Sequence, residues 1–207
     1  MISRWFGKSK KRIGAEEFGQ VLARAAQEYD EASTPSAWGE FAAEFSPLGS
    51  SLVRASAVIW SSANNRFLQR LPAERFSTLR DTYYEKVWEG IVSRFGAERA
   101  QYDEFAWHRG GFVTPDEIKT DWALRSGVHD VLDVAVTQIG PAADEFLAES
   151  SSAAATALGK AVGRILFGGR TDVNAARAIF AYTRFMAVAK ATAMFLHELE
   201  GDGVQVF

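Results

Sequence analysis

Apolar positions recur at spacings of three and four through nearly the whole chain, and no alternating run of β-branched residues bounded by turns competes with them. This pattern predicts an all-α protein. A first helix is expected from about Ala15 to Ala32, with Phe18, Val21, Leu22 and Ala25 on one face, ended by Ser33-Thr34-Pro35. Ser36 then caps a short helix carrying Trp38, Phe41 and Phe45. Ser46-Pro47 opens another through Leu52, Ile59 and Trp60, because proline suits the first helical position. A kink or break is expected at Asn64-Asn65 and a stop at Leu71-Pro72.

The next helix, about Ala73 to Phe95, sets Phe76, Leu79, Tyr83, Val87, Ile91 and Phe95 in one stripe, with Asp81, Glu85 and Glu89 on the other side. A shorter helix holds Tyr102, Phe105 and Trp107 before Gly110-Gly111. Thr114-Pro115-Asp116-Glu117 gives the clearest start signal, with Thr114 as cap, Pro115 in the first turn and Glu117 closing a capping box. That helix is expected to run to about Ile139 and to end at Gly140-Pro141. A short acidic helix from Asp144 to Glu149, a serine loop and a small-residue helix from Ala153 to Phe167 follow.

The last helix, Asp172 to about Glu200, is apolar on most sides, which places it either at the centre of a fold or in a membrane. Arg184 and Lys190 interrupt it, each costing roughly 2.5 to 3.5 kcal/mol at a bilayer centre. The expected fold is therefore a single-domain globular bundle of about seven to nine helices with an apolar central C-terminal helix. Ala155, Gly159 and Gly163, four apart, are a pattern that permits close helix contact, inside the bundle or against a second subunit.

Composition adds bounds. A chain of 207 residues with 47% hydrophobic residues can bury a core large enough to fold without a staple, and with no cysteine it has neither disulfides nor thiolate chemistry. The charge of −3 conceals an asymmetry, for the first twelve residues hold five cations and no acid. Removing these five from 23 leaves 18 basic against 26 acidic residues, so the body carries about −8. An acidic body argues against nucleic acid as partner. Residues 1–12 thus read as a basic aromatic arm on a single domain spanning 13–207. No apolar h-region follows the cations, so Sec-type export is not expected, and the chain reads as cytoplasmic. In the arm, Trp5 and Phe6 stand beside Lys8, Lys10, Lys11 and Arg12, the residue types that enter a headgroup boundary while cations meet anionic lipid. The same arm would also suit docking on another protein or on a second copy of the chain.

Candidate chemistry is sparse. Arg170, Arg177 and Arg184 recur every seven residues on one face of the last helix, a row that would take an anion or pair with acids such as Asp121, Asp130 and Asp133. Gly168-Gly169-Arg170-Thr171 precedes a helix, but no strand leads into it and no phosphate-loop pattern is present. His108, the His129-Asp130 pair and Asp172 resemble the ligand set of HD-domain phosphohydrolases, helical enzymes in which two imidazoles and two carboxylates hold a divalent cation that activates water. The resemblance would imply metal-dependent phosphohydrolase activity. The surroundings depart from it, since His108 precedes two glycines and Asp172 reads as a helix N-cap. Carboxylate-bridged di-iron bundles need Glu-x-x-His pairs, and the nearest spacing here, Glu104 to His108, is one residue too long. A TetR-like helix-turn-helix and a haem-oxygenase-like first-helix histidine find no counterpart, and no serine lies in a Gly-x-Ser-x-Gly context. The sequence supports a non-enzymatic interaction or adaptor protein with no cofactor and no catalytic residue, peripheral at a membrane face through its arm. Its alternatives are the phosphohydrolase and a small-molecule binder with an aromatic cavity.

Overall fold

The computed structural model describes residues 12–33, 47–95, 128–167 and 172–207. In chain order these form β1 (Arg12–Ile13), α1 (Ala15–Ser33), α2 (Pro47–Ala63), α3 (Arg66–Gln69), α4 (Ala73–Phe95), α5 (Val128–Glu149), α6 (Ser152–Leu166), α7 (Ala175–Gly201) and β2 (Gln205–Val206). The fold is an all-α bundle with an apolar C-terminal helix, as the periodicity predicts. The helices expected after Ser36 and around Phe105, and the capping box at Thr114, lie outside the described residues.

Local chemistry explains most boundaries. Pro47 opens α2, and Asn64-Asn65 does break the chain there: the Asn65 side chain accepts from the Phe67 N–H at 2.9 Å and so caps α3. Pro72 separates α3 from α4. The periodic stripe of α4 turns inward, with Leu79, Tyr83 and Val87 buried, as are Phe18, Val21, Leu22 and Ala25 of α1.

Two boundaries differ from expectation. Gly140-Pro141 does not end a helix; α5 continues through Pro141 for two further turns to Glu149, absorbing the separate acidic helix. Proline removes the N–H that would reach the carbonyl four residues back, at Thr137. Thr137 and Pro141 both face solvent, where water can serve that carbonyl. The helix stops instead at Ser150, a non-glycine residue with φ 51°, and Ser151 caps α6 by accepting from the Ala154 N–H at 3.1 Å. Asp172 is also not the cap of α7. Asn174 is, in extended conformation with its side chain accepting from the Arg177 N–H at 2.9 Å, which leaves Asp172 exposed and outside the helix.

The core is shared by α2 and α7. Among the described helices α2 packs on each of the other six, and its Leu52, Val53, Ala55, Ala57, Val58 and Ile59 are all buried. Helix α7 packs on α6, α2, α1 and α3, burying Phe180, Phe185, Phe195, Leu196 and Leu199. It is long and apolar enough to cross a membrane by length and composition, and 44% of its most apolar window is buried in the bundle. Its contact with α6 is close because Gly159 lies against the α7 backbone: a β carbon there would meet the Ala178 carbonyl oxygen and come within 2.8 Å of its carbon. Gly163 faces the Val173 side chain, so both glycines of the small-residue pattern serve packing within the bundle.

A two-stranded parallel sheet, which the sequence reading did not anticipate, ties the two ends of the described chain together. Gly203, at φ 74°, closes α7 with a Schellman turn in which the Val204 N–H donates to the Leu199 carbonyl and the Gly203 N–H to that of Glu200. The chain is thereby turned into β2, where Arg12 is opposite Gln205 and Ile13 opposite Val206. Ile13 and Val204 are buried at this junction.

Candidate functional site

Residues 1–11 of the arm, with Trp5, Phe6, Lys8, Lys10 and Lys11, lie outside the described residues, and Arg12 is the point at which the arm joins the fold. That point is well defined. The Phe207 N–H donates to the Ile13 carbonyl and the Ala15 N–H to the Phe207 carbonyl, both at 3.0 Å, extending the strand pair on either side. Arg12, the last cation of the arm, holds its guanidinium 5.1 Å from the centre of the Phe207 ring, a cation–π contact on the surface. Phe207 is itself 52% exposed, which is unusual for a phenylalanine and adds an aromatic face at the root of a segment already rich in them. Met194, also more than half exposed, lies two turns before the end of α7, the end from which β2 departs. Sequence reasoning missed Phe207 and Met194 because both lie in runs that read as core or chain end. Only the pairing of strands some 190 residues apart joins Phe207 to the arm.

Two members of the arginine row, Arg177 and Arg184, contact different neighbours. The Arg177 guanidinium sits over the Phe167 ring at 5.6 Å, beyond the last turn of α6, whereas Arg184 donates to the Ser50 Oγ of α2 at 3.0 Å. Both are half-buried, so their stems pack while their heads serve different neighbours. Arg170 lies outside the described residues.

Among the described residues no group of three or more His, Cys, Asp and Glu side chains converges; of the histidine–aspartate set, only the Asp172 side chain is described. His108 lies outside them, and His129 and Asp130 fall in the first turn of α5. Asp172 is exposed. Purified protein is expected to carry no stoichiometric divalent metal, and His129→Ala to leave metal content unchanged. A retained cation lost on that substitution, measured by elemental analysis, would favour the phosphohydrolase reading.

Described aromatic residues of the interior pack on one another. Phe18 meets Phe67 edge-on with centroids 6.4 Å apart, Trp60 lies 5.8 Å from Phe185, and Phe146 meets Tyr182 at 5.2 Å. Trp60 also donates its indole N–H to Asp144 at 2.7 Å, fixing α2 to α5.

These features define a helical bundle whose first described residue, Arg12, lies beside an exposed aromatic residue, Phe207. Comparison of the chain with protein-family models, curated proteins and solved structures finds no match in any of the three.

Proposed function

We propose that the protein is a non-enzymatic helical interaction or adaptor protein, attached at the cytoplasmic face of a membrane by its basic aromatic arm. The observation that supports this reading most is the strand pair that roots the arm beside exposed Phe207. A tether works when one end is fixed in a folded body and the other carries residues suited to a surface. Ile13, buried and hydrogen-bonded to the Phe207 backbone, supplies the fixed end. Trp5, Phe6 and the four cations Arg4, Lys8, Lys10 and Lys11 supply the other.

Attachment of this kind sums small terms. Each cation near an anionic surface contributes roughly 1 kcal/mol, about fivefold in affinity, and the aromatic rings add burial at the headgroup boundary. Full-length protein should therefore co-sediment with vesicles containing anionic lipid and not with neutral ones, and the binding should weaken as salt shortens the Debye length. Trp5→Ala, or Lys8, Lys10 and Lys11 each to Gln, should weaken it at least fivefold without altering the helical spectrum or melting temperature. The opposite pattern, in which vesicles make no difference and deletion of residues 1–11 changes stability or oligomeric state, would assign the arm to another protein or to a second copy of the chain.

A further inference from the structure

Helix α5 changes character at Gly140-Pro141. Before that point Ala135 and Ile139 are fully buried. Beyond it, among residues 141–149, only Ala143 is buried, while Asp144, Glu145, Leu147, Ala148 and Glu149 face solvent. The junction joins the two least favourable residues for a helix interior, and Pro141 cannot donate to the Thr137 carbonyl. Packing does not call for the glycine, since a β carbon at 140 would meet nothing within 4 Å among the described residues. The far end of the segment is also unfavourable, because Ser150 adopts the left-handed region at φ 51° without being glycine.

The segment is held to the body through few groups. Ala143 enters the core, Phe146 meets Tyr182 of α7 with ring centroids 5.2 Å apart, and Asp144 accepts the indole N–H of Trp60 of α2 at 2.7 Å. Trp60 and Tyr182 are themselves only half-buried.

We propose that residues 142–149 are a hinged flap, latched by the Asp144–Trp60 hydrogen bond, which opens as one unit at Gly140-Pro141 and uncovers Trp60 and Tyr182 on α2 and α7. Segments with few buried apolar contacts open at a fraction of the free energy of global unfolding. Two turns of helix released from their packing are too short to hold their own hydrogen bonds, so lifting and unwinding are one event. This differs from ordinary fraying, which loosens a helix residue by residue from its end. The flap instead gives one opening for all eight residues, with a step at the Gly-Pro junction.

The test exploits the lack of cysteine in the chain, so that a single introduced thiol reports on its own position. Ala135→Cys and Ala143→Cys place a thiol at two fully buried positions of α5, one on each side of the hinge. The thiol at 143 should react with a thiol-specific disulfide reagent about a hundredfold faster than that at 135. Its rate should hardly respond to low urea, because opening exposes little surface, whereas the rate at 135 should rise steeply, as global unfolding requires. Trp60→Phe removes the donor of the latch and should speed labelling at 143 about tenfold, as loss of a charge-assisted hydrogen bond does. Gly140→Ala should slow it about fivefold by favouring the helix at the pivot. Native-state hydrogen exchange on the unsubstituted chain gives a readout free of any effect of the cysteine itself: amides 142–149 should share one opening, well below the protection of residues 135–139. Equal labelling rates and equal urea dependence at 135 and 143, unchanged labelling at 143 in Trp60→Phe, or protection that declines in order from Glu149 inward without a step at Pro141 would each overturn the proposal.

Discussion

Replacing Gly159 by leucine is expected to lower stability by about 3 kcal/mol or more, enough to leave a large fraction of the protein unfolded at moderate temperature. The reason is the nature of the neighbour. A β carbon at 159 would run into the carbonyl group of Ala178, and a backbone carbonyl inside a helix cannot swing aside as a side chain can. Accommodation requires α6 and α7 to move apart along the bundle's most extensive helix contact. Gly163→Ala is the instructive comparison, because the added carbon would meet the γ methyl of Val173 at 2.7 Å, and a side chain can yield part of that distance. Its cost should be clearly smaller. Urea denaturation of the two variants beside the parent would check the ordering. A Gly159→Leu protein within about 0.5 kcal/mol of the parent would show that the two helices are not held at the described separation.

Removing residues 172–207 is expected to abolish cooperative folding altogether. That truncation deletes α7 and with it Phe180, Phe185, Phe195, Leu196 and Leu199, all buried. At about 2 kcal/mol for each large apolar side chain the loss approaches 10 kcal/mol, comparable to the whole stability of an ordinary domain. It also strips the partners from α6 and α2 and removes β2, leaving β1 with nothing to pair. The expected product has helical far-UV signal at most, no near-UV signal and no cooperative melt. A truncated chain that melts cooperatively would mean that α2, in contact with every other described helix, organises a core without α7.

Much of the fold was legible in advance, and the residues show why. The bounds of α4 follow from Pro72 before it and from an uninterrupted stripe within it, both local signals. Asn65 and Pro47 announce themselves in the same way. Where local signals misled, a local rule met a tertiary opportunity. Pro141 reads as a stop, yet α5 runs through it because the lost hydrogen bond lies on the solvent side while Ala135, Ile139 and Ala143 remain buried on the other. Asp172 reads as a cap, but Asn174, two residues later, takes that role.

The candidate sites were less legible. The cations of the arm are visible in sequence because they are contiguous, but their root beside Phe207 is not, since a parallel pair of two-residue strands has almost no periodicity to detect. The flap is more hidden still. Gly140-Pro141 is conspicuous in sequence, but the contacts of Asp144 with Trp60 and of Phe146 with Tyr182 beyond it are not. Of the row Arg170, Arg177 and Arg184, conspicuous in sequence, Arg177 lies over Phe167 and Arg184 donates to Ser50, partners that the heptad spacing does not announce.

By itself, then, the order of residues determined the helical class, most helix limits and which face of each helix turns inward, because these depend on periodicity and on hydrogen bonds closed within a few residues. Tertiary structure alone decided that Gly159 is a contact point and Gly140 an open one, that α2 shares the centre with α7, and that Asp144 and Phe146 settle on Trp60 and Tyr182. These depend on distances between segments far apart in the chain, which helix packing sets and which no local pattern encodes.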